Sequence, residues 1–232
     1  MPKLSVIIPV YNEEKTILEI ISRVKKAKSF NLDKEIIVVN DFSTDQTKEK
    51  LKSIKDKSIK ITHHNKNFGK GAAVRAGLES ATGGIILIQD ADLEYDPRDY
   101  EKLLKPIIDK KTDVVYGSRF DVVTKNLSKM YKLHYLGNLF LTLLTNILYG
   151  VKITDMETGY KVFRKDVMKN IKLRARRFDF EPEITAKILK KGYRIYEVPI
   201  RFYGRKFREG KKITWIDGLK AVYYLVKYRF RD

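Results

Sequence analysis

Ile85-Ile86-Leu87-Ile88-Gln89-Asp90-Ala91-Asp92-Leu93-Glu94 is the stretch on which the fold turns. Its aliphatic run reads as a strand buried on both faces, the kind found in the middle of a parallel sheet. The run ends in carboxylates at positions i, i+2 and i+4, where a buried strand would reach solvent. In open α/β sheets ligands bind beyond the carboxyl ends of the strands, so chemistry is expected at this acidic terminus. Three hard oxygen ligands this close together suit Mg²⁺ or Mn²⁺ bridged to a diphosphate. By itself, the same pattern also fits an acidic turn capping a helix that begins at Pro97.

Similar β-rich runs stand at residues 4–10, 35–40, 59–63 and 113–116, and helix-like stretches alternate with them. That alternation predicts stacked βαβ units, hence an α/β fold with a mostly parallel sheet flanked by helices. Ser43 with Gln46 three residues on reads as a capping box, and Asp96-Pro97 reads as a helix start. Further on, helices are expected over 127–149, 181–191 and 214–228, with a short strand at 194–199. No linker, repeat or low-complexity tract interrupts the chain, so one domain is expected.

The 232 residues, 43% of them hydrophobic, are enough to bury one sizeable core. A net charge of +19 points to a polyanionic partner: nucleic acid, an anionic membrane or a phosphate-bearing substrate. There is no cysteine, which excludes disulfides, thiol nucleophiles and thiolate metal sites, and His63, His64 and His134 lack zinc-site spacing. Any metal must therefore rest on oxygen ligands. The run at 4–10 lacks the longer apolar core of a signal peptide, and a cytoplasmic location is the default expectation.

Residues 133–151 contain no Asp, Glu, Lys or Arg and are nearly long enough for a membrane span. His134, Asn138, Thr142 and Thr145 nevertheless recur as a polar stripe on one helix face. The segment reads as an amphipathic helix that packs on the domain or lies in a membrane interface, not one that spans.

Two further strand ends carry polar residues: Pro9-Val10-Tyr11-Asn12-Glu13-Glu14 and Asn40-Asp41-Phe42-Ser43-Thr44-Asp45. Tyr11 offers a face for a base and Asp41 an acceptor for a ring N–H. Both stretches also fit plain strand-to-helix turns whose acids are favoured by the helix dipole. Asn65-Lys66-Asn67-Phe68-Gly69-Lys70-Gly71 is a cationic loop entering a helix, as phosphates favour, but no Ser or Thr follows Lys70 as a Walker loop would require.

Taken in order and spacing, these four strand ends resemble glycosyltransferase family 2. The resemblance continues through Gly117-Ser118-Arg119, Thr154-Asp155-Met156-Glu157-Thr158-Gly159-Tyr160-Lys161, Gly192-Tyr193 and Glu197-Val198-Pro199-Ile200, and so covers nearly the whole chain. Within that family it is most similar to the dolichyl- and polyprenyl-phosphate mannosyl- and glucosyltransferases. The resemblance implies a single GT-A domain over 1–232, with a nucleotide-sugar-binding half at 1–120 and an acceptor half at 121–232. It implies inverting transfer of a hexose from a GDP-mannose or UDP-glucose type of donor to a lipid phosphate at the cytoplasmic membrane face.

Residue by residue, the resemblance implies that Pro9, Tyr11, Glu13 and Asp41 hold the nucleoside, and that Lys70 and Ala91 belong to the donor site. Asp90 and Asp92 engage the metal and diphosphate, and Glu94 takes the place of a third ligand that is commonly Gln in the mannosyl enzymes. Arg119 faces the acceptor phosphate, Lys132 is a looser match to a second acceptor cation, and Arg205 faces the donor diphosphate. Asp155 joins Asp90, Asp92 and Arg119 as a candidate catalytic residue. A Ser expected near the acceptor is not evident.

A lipid phosphate is already ionised and needs cations rather than a base, whereas a sugar hydroxyl needs a carboxylate to take its proton. Arg119 and Lys132 favour the first acceptor, while Asp155 and Glu157 keep the second open. The basic stretch 204–212 precedes an apolar stripe of Ile213, Trp215, Ile216, Leu219, Val222 and Tyr223. It reads either as a lid over the diphosphate with a helix resting peripherally on an anionic membrane, or as a solvated loop before a core-packing helix. A membrane-protein partner is a further possibility.

A nucleic-acid-binding module would explain the charge but not the paired carboxylates, which repel phosphate unless a metal intervenes, so no nucleic-acid partner is expected. A nucleotidyltransferase would carry a Gly-rich loop after its first strand. A processive polysaccharide synthase would carry Gln-x-x-Arg-Trp and membrane spans.

Overall fold

The computed structural model describes residues 3–120, 129–177, 179–205 and 215–231. Strands and helices first alternate strictly: β1 (Lys3–Val10), α1 (Ile17–Lys26), β2 (Asp33–Asn40), α2 (Thr47–Lys52), β3 (Ile59–His63), α3 (Lys70–Ser80) and β4 (Ile85–Ile88). A 3₁₀ turn, Pro97–Asp99, leads into α4 (Tyr100–Ile108) and β5 (Val114–Ser118). Then come α5 (Lys129–Tyr149), β6 (Lys161–Arg164), α6 (Lys165–Met168), α7 (Phe180–Lys190), β7 (Ile195–Pro199) and α8 (Trp215–Phe230).

The seven strands form one sheet in the order β3-β2-β1-β4-β6-β5-β7. All neighbours run parallel except β6, which lies antiparallel between β4 and β5. Both faces of the central strands are buried, which is why they read as continuous apolar runs. Leu4, Val6 and Ile8 face one core with Ile17, Ile20 and Val24 of α1, while Ile7 faces the other with Ala73 and Val74 of α3. Gly77 lets α3 close onto β1, since a Cβ there would lie 2.4 Å from the Ile7 side chain.

The mostly parallel α/β architecture expected from sequence is present, with two local corrections. Sequence reasoning missed the antiparallel β6. The Ser43–Gln46 capping box does not form, because α2 starts at Thr47 and no side chain caps it from Gln46. The Ser43 hydroxyl instead donates to Asn40 Oδ1 and accepts from the Asn12 N–H at 2.9 Å, tying the ends of β1 and β2 together. Asp96 does cap the turn at Pro97, accepting from the Arg98 N–H.

The amphipathic helix expected over 127–149 forms as α5 and packs on the domain with its polar stripe facing inward. Asn138 donates to Asp155 at 2.8 Å, Thr142 accepts from the Met156 N–H, and Asn146 brackets Ile153 by donating to its carbonyl and accepting from its N–H. Burial of these loop amides demands partners, and the stripe supplies them. Leu136, Phe140, Leu143 and Ile147 are left exposed on the outside. The helix α8 packs on α5 through Leu141, Ala221 and Leu225, and exposes Leu219, Tyr223 and Phe230. No described helix is long and apolar enough to cross a membrane.

Candidate active site

The loops at the carboxyl ends of β1, β2 and β4 each contain a non-glycine residue in the left-handed region: Asn12 (φ 52°), Phe42 (φ 62°) and Leu93 (φ 63°). Such conformations cost free energy and gather where the surroundings over-determine the backbone. Glu13 of the β1 loop and Asp92 and Glu94 of the β4 loop meet Arg205 in a single cluster.

Arg205 is the centre of that cluster. Its guanidinium reaches both Glu13 carboxylate oxygens at 3.1 Å and Asp92 Oδ2 at 3.0 Å, and its backbone N–H donates to Glu94 Oε1 at 2.7 Å. The approach is fixed by an isolated bridge between Tyr95 and Phe202 and by the Tyr203 N–H donating to the Glu94 carbonyl. Burial and the charges of Asp90 and Glu94 push the Asp92 carboxyl up to about 7 despite Arg205.

Asp90 is held on the other side. Lys70, at the first position of α3, reaches Asp90 Oδ1 and Glu181 Oε1, each at 2.8 Å. Burial opposes the Lys70 ammonium, but these two carboxylates outweigh it and keep it protonated well above the usual lysine range. The Tyr95 hydroxyl accepts from the Gly159 N–H at 2.8 Å. A Cβ at Gly159 would lie 2.2 Å from Asp90 Oδ2, so the missing side chain keeps the space before that oxygen open.

Asp41 is turned to a different task. It accepts from the Phe68 N–H at 2.9 Å and the Gly69 N–H at 2.7 Å, and it pairs with His64 Nδ1 at 2.7 Å. It therefore clamps the 65–69 loop onto β2. Pro9 lies in β1 opposite Val39, with Tyr11 just past the strand end, and Ala91 is buried between the two acidic residues.

Across the site, Arg119 and Asp155 form a two-pronged pair, with Nε to Oδ2 and Nη2 to Oδ1 both at 2.7 Å. The Arg119 N–H and the Asn138 side chain donate to the same carboxylate, and Arg119 lies 5.2 Å from the Phe202 ring centroid. Burial alone would raise Asp155, but Arg119 and these hydrogen bonds prevail and hold it below the usual carboxylate range. Glu197 on β7 anchors the loop by accepting from the Thr154 and Asp155 N–H groups.

Beneath Lys70 lie Glu157, Glu181 and Lys161. Burial, then the nearby Glu181, push the Glu157 carboxyl up to about 8, and burial pulls the Lys161 ammonium down to about 8. Glu157 Oε1 and Glu181 Oε2 are buried and have no hydrogen-bond partner.

The structure thus brings Glu13, Asp92, Glu94 and Arg205 together, links Lys70 to Asp90, and pairs Arg119 with Asp155. Lys132 lies on the first turn of α5, but its side chain is outside the described residues, as are residues 206–212 of the lid expected over 204–212. Glu181 escaped sequence reasoning because nothing local marks it as a partner of Lys70. Asn138 was visible only as part of a polar stripe.

Asp90 and Asp92 fit a divalent cation: they are hard oxygen donors, the charge around Asp92 exceeds what Arg205 neutralises, and Gly159 leaves Asp90 Oδ2 accessible. Among the described residues no three His, Cys, Asp or Glu side chains stand ready as one metal-binding group, and Glu94 is engaged by the Arg205 backbone.

The seven-stranded, mostly parallel sheet flanked by helices has the fold of GT-A glycosyltransferases. The glucosyl-3-phosphoglycerate synthase of Mycobacterium tuberculosis, solved with Mn²⁺, UDP and phosphoglyceric acid, matches with a TM-score of 0.72 and 18% identity, over 100% of this chain and 80% of that one. The dolichol-phosphate mannosyltransferase of Pyrococcus furiosus is 32% identical, over 97% of this chain and 64% of its own length. The UDP-N-acetylglucosamine–dolichyl-phosphate N-acetylglucosaminyltransferase of Methanococcus voltae is 31% identical, over 95% and 93%. The model of glycosyl transferase family 2 matches residues 5–172. The chain belongs to that family and is a glycosyltransferase.

Proposed function

We propose that this glycosyltransferase moves a hexose, with inversion, from a GDP-mannose or UDP-glucose type of donor to a polyprenyl or dolichyl phosphate at the cytoplasmic face of a membrane. The observation that carries this reading is the Arg119–Asp155 pair. A carboxylate held below its usual range by a guanidinium is a poor general base, so Asp155 is unsuited to take the proton of a hydroxyl acceptor. An ionised phosphate needs no such group, and Arg119 supplies charge for it. The two enzymes named above share a dolichyl phosphate acceptor by name and differ in the sugar, which supports the acceptor class more than the hexose.

In this reading Pro9, Tyr11 and Glu13 face the nucleoside, and Asp41 shapes the neighbouring loop. Asp90 and Asp92, with Glu94 beside them, would hold Mg²⁺ or Mn²⁺, which supplies charge neutralisation for the departing diphosphate. Arg205 and Lys70 add positive charge on either side of that position, and Lys132 stands as a second cation for the acceptor. The exposed apolar residues of α5 and α8, with Lys220, Lys227 and Arg229 among them, support peripheral contact with an anionic bilayer.

The test is incubation with Mn²⁺, labelled UDP- and GDP-sugars and a short water-soluble prenyl phosphate. One donor should label the lipid, and Asp92→Ala should lower that rate on the order of a hundredfold or more. Transfer that survives both metal removal and Asp92→Ala would overturn the proposal.

A further inference from the structure

A cavity of about 600 Å³ is bordered by Lys66, Asn67 and Phe68 of the 65–69 loop that Asp41 clamps, and none of Glu13, Asp92, Glu94 and Arg205 lines it. Lys66, Arg174, Arg176, Arg177 and Lys220 line it, with Asp179 as the single acid. These cations are exposed, and none makes an ion pair with a described residue. Several guanidinium groups elsewhere pair with carboxylates, as those of Arg98, Arg119, Arg164, Arg201 and Arg205 do. Concentrating cations that pair with no described acid in one concavity is electrostatically unfavourable until an anion enters.

The walls are built rather than incidental. The Ala72 N–H donates to the Arg176 carbonyl at 3.2 Å, and Gly69 sits so close that a Cβ would lie 2.3 Å from that oxygen. The Arg177 N–H donates to Asp179 Oδ1 at 2.7 Å. Phe68 and Tyr224 add ring surface, with Lys66 Nζ 5.2 Å from the Phe68 centroid. Arg174 also borders a smaller cavity of about 240 Å³ with Lys172, Lys190 and Lys191, so the basic surface continues past it.

The helix α8 joins this cavity to the apolar surface. Lys220 and Tyr224, one turn apart, line the cavity, while Leu219 and Tyr223 beside them are 60% exposed. A ligand with an anionic head and an apolar tail would satisfy both surfaces at once. We propose that this cavity is a binding site for the phosphate headgroup of an anionic phospholipid, separate from the acceptor, that seats the enzyme on its membrane. The proposal rests on the membrane-facing reading given above.

The test is flotation of the full chain with phosphatidylcholine vesicles, with and without about a third phosphatidylglycerol. The native chain should bind the anionic vesicles at least about tenfold more tightly. The triple variant Arg176→Ala, Arg177→Ala, Lys220→Ala should lose that excess while binding UDP and transferring hexose to the water-soluble prenyl phosphate as before. A triple variant that keeps the anionic preference overturns the proposal. So does one whose loss is in UDP binding, which would assign the cavity to the donor, or in binding of an RNA oligonucleotide with vesicle binding intact. Because the soluble acceptor needs no bilayer, failure of transfer alone counts against the proposed reaction and leaves the lipid site standing.

Discussion

Asp155 receives hydrogen bonds from the Arg119 side chain, the Arg119 backbone and Asn138, all within 3.0 Å. Breaking a buried pair by deleting one partner leaves the other charge uncompensated, which costs more than the pair itself contributes. Asp155→Ala should therefore lower unfolding free energy by about 3–5 kcal/mol in urea titrations, and a loss below about 1 kcal/mol would contradict the pairing. Glu157 gives a pH signature. Its folded carboxyl sits near 8, far above an unfolded glutamate, so the folded state binds the extra proton. That contribution is full below the unfolded value and is lost as pH rises through about 8. Lys161, lowered to about 8, acts in the opposite sense, its contribution being lost as pH falls through that value. Comparison with Glu157→Gln removes the acid's part alone. Between about pH 5 and pH 8 the native chain should lose stability relative to Glu157→Gln by on the order of 1 kcal/mol or more, read from unfolding midpoints at each pH. A constant difference would contradict the raised carboxyl.

Among the elements, α5 departs most from the usual order, with its polar side on the protein and its apolar side out. Leu143 is 56% exposed and Ile147 71%, so replacing both with Ser should change unfolding free energy by no more than about 0.5 kcal/mol while weakening vesicle binding severalfold. A large loss of stability would mean that this face packs against protein. The sequence revealed that α5 is amphipathic but not which side faces in, because that depends on the 153–156 loop, whose N–H groups need Thr142 and Asn146 and whose Asp155 carboxylate accepts from Asn138. β1, β2 and β4 were legible because burial on both faces leaves unbroken aliphatic runs. The strand β6 was not, since it has only four residues, begins with a lysine and pairs antiparallel with strands distant in the chain. The Ser43 box failed for a related reason: a long-range partner, the Asn12 N–H, outcompeted a local one.

At the scale of the whole molecule, the candidate site was legible as four strand ends but not as a network. Asp90 and Asp92 could be singled out by type and spacing, and Glu13 and Arg205 through the family resemblance. That Arg205 would bridge Glu13 and Asp92, or that Glu181 would share Lys70 with Asp90, depends on how distant loops cross the sheet edge. The same holds for Asp155, which the sequence offered as a base and the fold pairs with a guanidinium. The net charge of +19 suits a chain whose donor, acceptor and supporting surface would all be anionic. The most direct test of this account compares labelled hexose transfer, from the donor that proves active, to a polyprenyl phosphate and to the corresponding polyprenol. Labelling of the phosphate alone is the expected result; labelling of the free alcohol or of a glycan hydroxyl at an equal or greater rate would contradict it.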